Sequence, residues 1–134
     1  MERPETRVQR QGPFPVRFRQ LEVIRTQPLG PNLMRVTLGG PDLEGFRTLG
    51  PDDHVKLCFP SPTTGELVVP TPGPGGPAWP EGQEKPPLRD YTPRQFDPVR
   101  GELDIDFVMH GDGPAVSWAR RCQNGDRIGV GGPR

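Results

Sequence analysis

The stretch Glu102-Leu103-Asp104-Ile105-Asp106-Phe107-Val108-Met109-His110-Gly111-Asp112-Gly113-Pro114-Ala115-Val116-Ser117-Trp118-Ala119-Arg120-Arg121 decides the fold class of this chain. Its first half alternates, with Leu103, Ile105, Phe107 and Met109 apolar and Glu102, Asp104 and Asp106 acidic. A period of two belongs to a strand with one covered and one wet face, as in antiparallel sheets and barrels. The pattern breaks at Gly111-Asp112-Gly113. Asp112 can cap a helix, Pro114 suits the first helical position, and Ala115 to Arg121 continue it. Arg120 and Arg121 complement the helix dipole in the last turn, and Asn124-Gly125 ends the element.

The same alternation recurs upstream. Phe18, Leu21 and Val23-Ile24 predict a first strand that ends near Pro28. Met34, Val36 and Leu38 alternate with Arg35 and Thr37 and stop at Gly39-Gly40. Val55, Leu57 and Phe59 alternate with His54, Lys56 and Cys58 up to Pro60. The turn Ser61-Pro62-Thr63-Thr64-Gly65 then predicts Leu67-Val68-Val69 as the return strand of a hairpin. Arg127 to Val130 forms a short last strand. Several short strands with one late helix give an all-β chain, a small antiparallel barrel with one short helix.

Length and charge bound the function. The 134 residues suit a single domain. Residues 1–13 are polar and Arg-rich and read as a disordered tail, leaving 14–134 as the barrel. The 20 prolines and 18 glycines look high for a globular chain, but 14 of them fall between Pro60 and Pro87, and the loop from Pro70 to Pro87 reads as a surface excursion between strands or a lid over a ligand. A net charge of zero gives no support for nucleic acid or anionic membranes as partners. No apolar run approaches a membrane span of about 18 residues, and the N-terminus lacks the apolar core of a signal peptide. The expectation is a soluble, cytoplasmic protein. Cys58 and Cys122 match no metal spacing, and no metal site is expected.

Two segments carry chemistry. In Arg89-Asp90-Tyr91-Thr92-Pro93-Arg94, strand geometry puts Arg89 and Tyr91 on one face, with Thr92 adjacent. A guanidinium suits a phosphate, an aromatic face a planar ring, and a hydroxyl a ring nitrogen. An ordinary exposed strand accounts for the same residues. In the second segment, a strand running through glycines into a helix start leaves backbone N–H groups free for an anion, and Gly113, Ala115 and Val116 are the donors because Pro114 has none. A capped helix whose turn merely needs glycine is the plain alternative.

Set together, the two segments resemble the FAD-binding domain of the siderophore-interacting proteins, among the ferredoxin-reductase-like flavoproteins. The resemblance covers about 18–134 and is strongest after Leu88; Asn124-Gly125-Asp126-Arg127 and Gly131-Gly132-Pro133 share it. It implies an antiparallel Greek-key flavin-binding barrel followed by a nicotinamide-binding α/β domain. It implies that Arg89 binds the FAD pyrophosphate, that Tyr91 lies against the isoalloxazine ring, and that Thr92 sits near the reactive nitrogen N5. Tyr91 and Thr92 are thereby the catalytic candidates. Val108 and His110 would contact the ribityl and diphosphate part, and Gly113, Ala115 and Val116 would offer amides to the pyrophosphate. Arg94 matches the motif's last position, as a cofactor or structural residue. The implied activity is that of an NAD(P)H-dependent ferric-siderophore reductase, with FAD as cofactor, NAD(P)H as donor in the full-length protein and a ferric siderophore as substrate. No Gly-x-Gly-x-x-Gly strand–helix unit occurs in these 134 residues, so the NAD(P)H-binding domain is expected to be missing from the chain. Another ferredoxin-reductase-like flavoprotein, a flavin-binding module without turnover, and a cofactor-free interaction barrel are the other readings.

Overall fold

The computed structural model describes residues 17–46, 53–73, 76–82 and 86–132. The tail expected over 1–13 lies outside them. The elements are β1 (Phe18–Pro28), β2 (Leu33–Gly39), a 3-10 turn (Pro41–Leu43), β3 (Val55–Cys58), β4 (Thr71–Gly73), β5 (Gly76–Ala78), β6 (Leu88–Tyr91), β7 (Pro93–Asp97), β8 (Glu102–Val108), α1 (Pro114–Arg121) and β9 (Arg127–Gly131). Seven strands form one sheet in the order β6-β3-β9-β1-β2-β8-β7, and β4 and β5 form a separate ribbon. Every pairing is antiparallel.

The edge strands β6 and β7 are separated in sequence by Thr92 alone. Two consecutive Cα–Cα steps span no more than about 7.6 Å. The sheet therefore rolls until its two edges meet at Thr92, which makes it a barrel wall rather than a flat layer. Period-two alternation fills the inside: Leu21, Val23, Val36, Leu38, Leu103 and Ile105 are buried in one cluster. Each such side chain contributes about 1.5–3 kcal/mol relative to exposure. On the outer face, the β2–β8 register sets Arg35 opposite Asp106 and Thr37 opposite Asp104. Arg35 grips Asp106 with two hydrogen bonds of 2.8 and 3.0 Å, and Thr37 Oγ1 donates to Asp104 at 2.7 Å. Helix α1 lays Ala115, Trp118 and Ala119 on the core.

Two expectations are corrected. Leu67-Val68-Val69 is not a strand. β3 is already paired on both sides, with β9 and with β6 some thirty residues later, so no edge is left for a local return strand. The segment instead covers the outside of β3, where Cys58 Sγ donates to the Val68 carbonyl at 3.1 Å. Asp112 does not cap α1: the N-cap is Gly113, with no side-chain cap, and Asp112 projects 95 % exposed toward Arg120. The proline-rich excursion also holds more order than its composition suggests, since β4 and β5 lie within it.

Candidate functional site

Register settles which way β6 faces. Arg89 and Tyr91 lie opposite Leu57 and Val55, both fully buried, whereas Asp90 lies opposite Lys56 and bonds to it at 2.8 Å. Arg89 and Tyr91 therefore share the inner side of an edge strand, as the alternation predicts. The Tyr91 ring packs on Phe107 at 4.7 Å. Burial raises the Tyr91 phenol above its usual pKa, and the nearby Arg89 guanidinium partly opposes that shift. Arg89 itself is exposed and meets no carboxylate among the described residues; it donates to the Leu88 carbonyl at 2.8 Å. Thr92 stands exposed at the corner where the sheet edges meet, and Arg94 is exposed just beyond it.

The second segment reaches the same place through Phe107, which also packs against Trp118 of α1 at 5.8 Å. The ladder to β2 runs one residue further, to Val108 opposite Leu33. Val108 lies on the opposite face of β8 from Phe107 and is 64 % exposed, and its carbonyl accepts the His110 N–H at 3.0 Å. The Met109 amide donates to the Asn32 carbonyl at 2.8 Å, and His110 is exposed. Gly111 turns the chain with φ of 79°, a left-handed conformation that favours glycine. Ser117 closes the first helical turn by donating its N–H to Gly113. The amides of Ala115 and Val116 precede that bond and find no acceptor among the described residues.

Beside the helix start runs a groove of about 760 Å³, with Phe59, Pro62, Pro86, Pro87, Pro114 and Ser117 in its walls. Sequence reasoning did not find it, because its walls come from three distant segments with no shared motif. The proline clusters that supply them were the available signal. The thiols play no part: burial pushes Cys58 up to about 12 and Cys122 up to about 11, which leaves both as inert core groups. No cluster of metal-ligating residues occurs among the described residues. No described helix is long and apolar enough to cross a membrane.

Comparison with known proteins bears on this geometry. The siderophore-interacting FAD-binding domain profile matches residues 22–134. The chain belongs to that family. It is 47 % identical over 119 residues to an NADPH-dependent ferric-chelate reductase of Escherichia coli, covering 89 % of this chain and 46 % of that protein. A ferric vibriobactin reductase of Vibrio cholerae is 42 % identical over 116 residues, covering 86 % of this chain and 42 % of the relative. Among solved structures, a siderophore utilization protein from T. fusca superposes with a TM-score of 0.79 at 44 % identity, over 90 % of this chain and 46 % of the other. A ferredoxin NADP+ reductase from Neisseria gonorrhoeae, at 17 % identity and a TM-score of 0.58, shares the fold. The chain spans less than half the length of the relatives it matches.

The family's cofactor fits these residues. A diphosphate needs cationic and N–H donors that no protein acid already holds, and Arg89 and the uncapped start of α1 meet that condition. A planar ring needs an aromatic surface held in place, and Tyr91 is pinned by Phe107.

Proposed function

We propose that this chain is the FAD-holding half of an NAD(P)H-dependent ferric-siderophore reductase. The observation that carries the reading is the contact of Phe107 with both Tyr91 and Trp118, which joins the Arg89–Thr92 segment to helix α1, whose first turn holds Ala115 and Val116. Arg89 and the amides of Gly113, Ala115 and Val116 hold the diphosphate. Tyr91 presents its ring to the isoalloxazine, and Thr92 aims its hydroxyl at N5 from the corner. Val108 and His110 line the path between ring and diphosphate. When bound, FAD supplies the chemistry that side chains lack, accepting hydride from NAD(P)H and releasing single electrons to ferric iron. The protein's work is therefore orientation, and no acid–base pair is required. The residues 1–13 tail, the barrel over 14–134 and a nicotinamide-binding domain outside this chain complete the organisation we propose, in a cytoplasmic protein.

Titration of the purified chain with FAD, followed by quenching of flavin fluorescence, tests the reading. Arg89→Ala should weaken binding by about 1.5–3 kcal/mol through loss of a charge-assisted phosphate contact. Unchanged affinity in that variant would remove Arg89 from the diphosphate site. Absence of binding by the wild-type chain would remove the reading itself.

A further inference from the structure

Strand β7 pairs with β8 through Pro93 and Ile105, Gln95 and Asp104, Phe96 and Leu103, and Asp97 and Glu102, with the register slipping between Pro93 and Gln95. Arg94 is the residue left over. A bulge of this kind bends the strand and re-aims the side chain of the extra residue. It sits two positions after Thr92, at the corner where the two sheet edges meet.

Among the described residues, the acids of β6, β7 and β8 have other partners. Asp104, across the ladder from Gln95, accepts from Thr37 Oγ1 at 2.7 Å, and Asp106 is gripped by Arg35. Asp97 Oδ1 accepts the N–H groups of Val99 and Arg100 at the far end of β7. Asp90 binds Lys56. Arg94 is exposed and meets no carboxylate among the described residues. With Arg89 assigned to the cofactor diphosphate, Arg94 is the cation beside Thr92 that no carboxylate among the described residues holds. An exposed cation at one rim attracts anions to that rim.

We infer that Arg94 is an acceptor-positioning residue: it draws an anionic ferric chelate to the Thr92 corner and contributes nothing to holding the cofactor. The inference rests on the reading that this corner borders the flavin ring. Electron transfer there is outer-sphere: each ferric ion takes one electron and becomes ferrous, and no bond to the protein forms or breaks.

The test uses the FAD-loaded chain, reduced with dithionite and mixed anaerobically in a stopped-flow with ferric-EDTA, an anion, or hexaamminecobalt(III), a cation. Arg94→Ala should slow reoxidation by ferric-EDTA about three- to tenfold at low ionic strength, and salt should erase the difference. Arg94→Glu should slow it further, and Arg94→Lys should keep most of the rate. Hexaamminecobalt(III) should react no more slowly with either neutral or acidic variant, and the FAD Kd should not move. Equal slowing of both oxidants would overturn the inference, and so would loss of FAD by Arg94→Ala, which would make Arg94 a cofactor contact. A wild-type chain that takes up no FAD overturns the cofactor reading, and this inference with it.

Discussion

At Gly131, near the end of β9, a Cβ would fall 2.7 Å from two atoms of the Phe18 ring. Its φ is not left-handed, so space rather than backbone conformation dictates glycine there. We expect Gly131→Ala to destabilise the fold by about 1–3 kcal/mol through overpacking, read as a lower urea midpoint. Adding Phe18→Leu should return part of the loss, since a smaller side chain vacates the contact. A midpoint that does not move in the single variant would mean that Phe18 swings aside without cost. Arg19, the next residue on β1, is similarly placed by packing: its guanidinium lies 5.6 Å from the Phe46 ring centre while Nε donates to the Asp42 carbonyl. Burial, with Arg17 nearby, lowers its pKa from an arginine's usual value.

Between elements, the ion pairs across the outer sheet face set a pH dependence. Arg25 of β1 holds Glu102 of β8 with bonds of 2.7 and 3.2 Å. This contact keeps the Glu102 carboxyl below its usual pKa. A carboxyl whose folded pKa is depressed adds stability at pH above its unfolded value, and that contribution fades as pH falls through the folded one. The window is acidic, below about pH 4.5, since an unfolded glutamate titrates near 4.3. We expect the urea midpoint to fall less steeply with acidification in Glu102→Gln than in the wild type. Parallel acid limbs in the two proteins would show the pair to be energetically silent, as many exposed pairs are.

For the molecule as a whole, the expectation concerns the electron donor. Hydride transfer needs the nicotinamide carbon held about 3–3.5 Å from its acceptor, and positioning of that kind is worth about 7–11 kcal/mol of barrier. A single barrel occupies the described residues, with no second α/β layer among them to dock a nicotinamide. The 134-residue chain loaded with FAD should therefore bleach with dithionite and stay yellow with NADPH on the stopped-flow timescale. Rapid bleaching by NADPH would show that the barrel alone positions the donor.

The sequence by itself determined what is local. Alternation along 102–109 and its counterpart in β2 marked which side chains turn inward, because a strand's faces follow from parity; in β1, where the register slips after Val23, parity held only for Leu21 and Val23. Pro114 to Arg121 formed the helix with the bounds that its residues indicate, and Arg89 and Tyr91 share a face for the same reason of parity. The Arg-x-Tyr-Thr and His-Gly-Asp-Gly-Pro-Ala runs carried the family. Only the tertiary structure decided which strands are neighbours. Leu67-Val68-Val69 has as much strand character as Leu88–Tyr91, yet β6 takes the edge of β3, since its far end must turn at Thr92 to begin β7 and close the sheet. The bulge that frees Arg94, the uncapped start of α1, and the meeting of Tyr91, Phe107 and Trp118 likewise depend on segments distant in sequence. Their cause is competition among strands for a limited number of ladder positions around one core. That competition is resolved by total burial and loop closure, which no window of neighbouring residues contains.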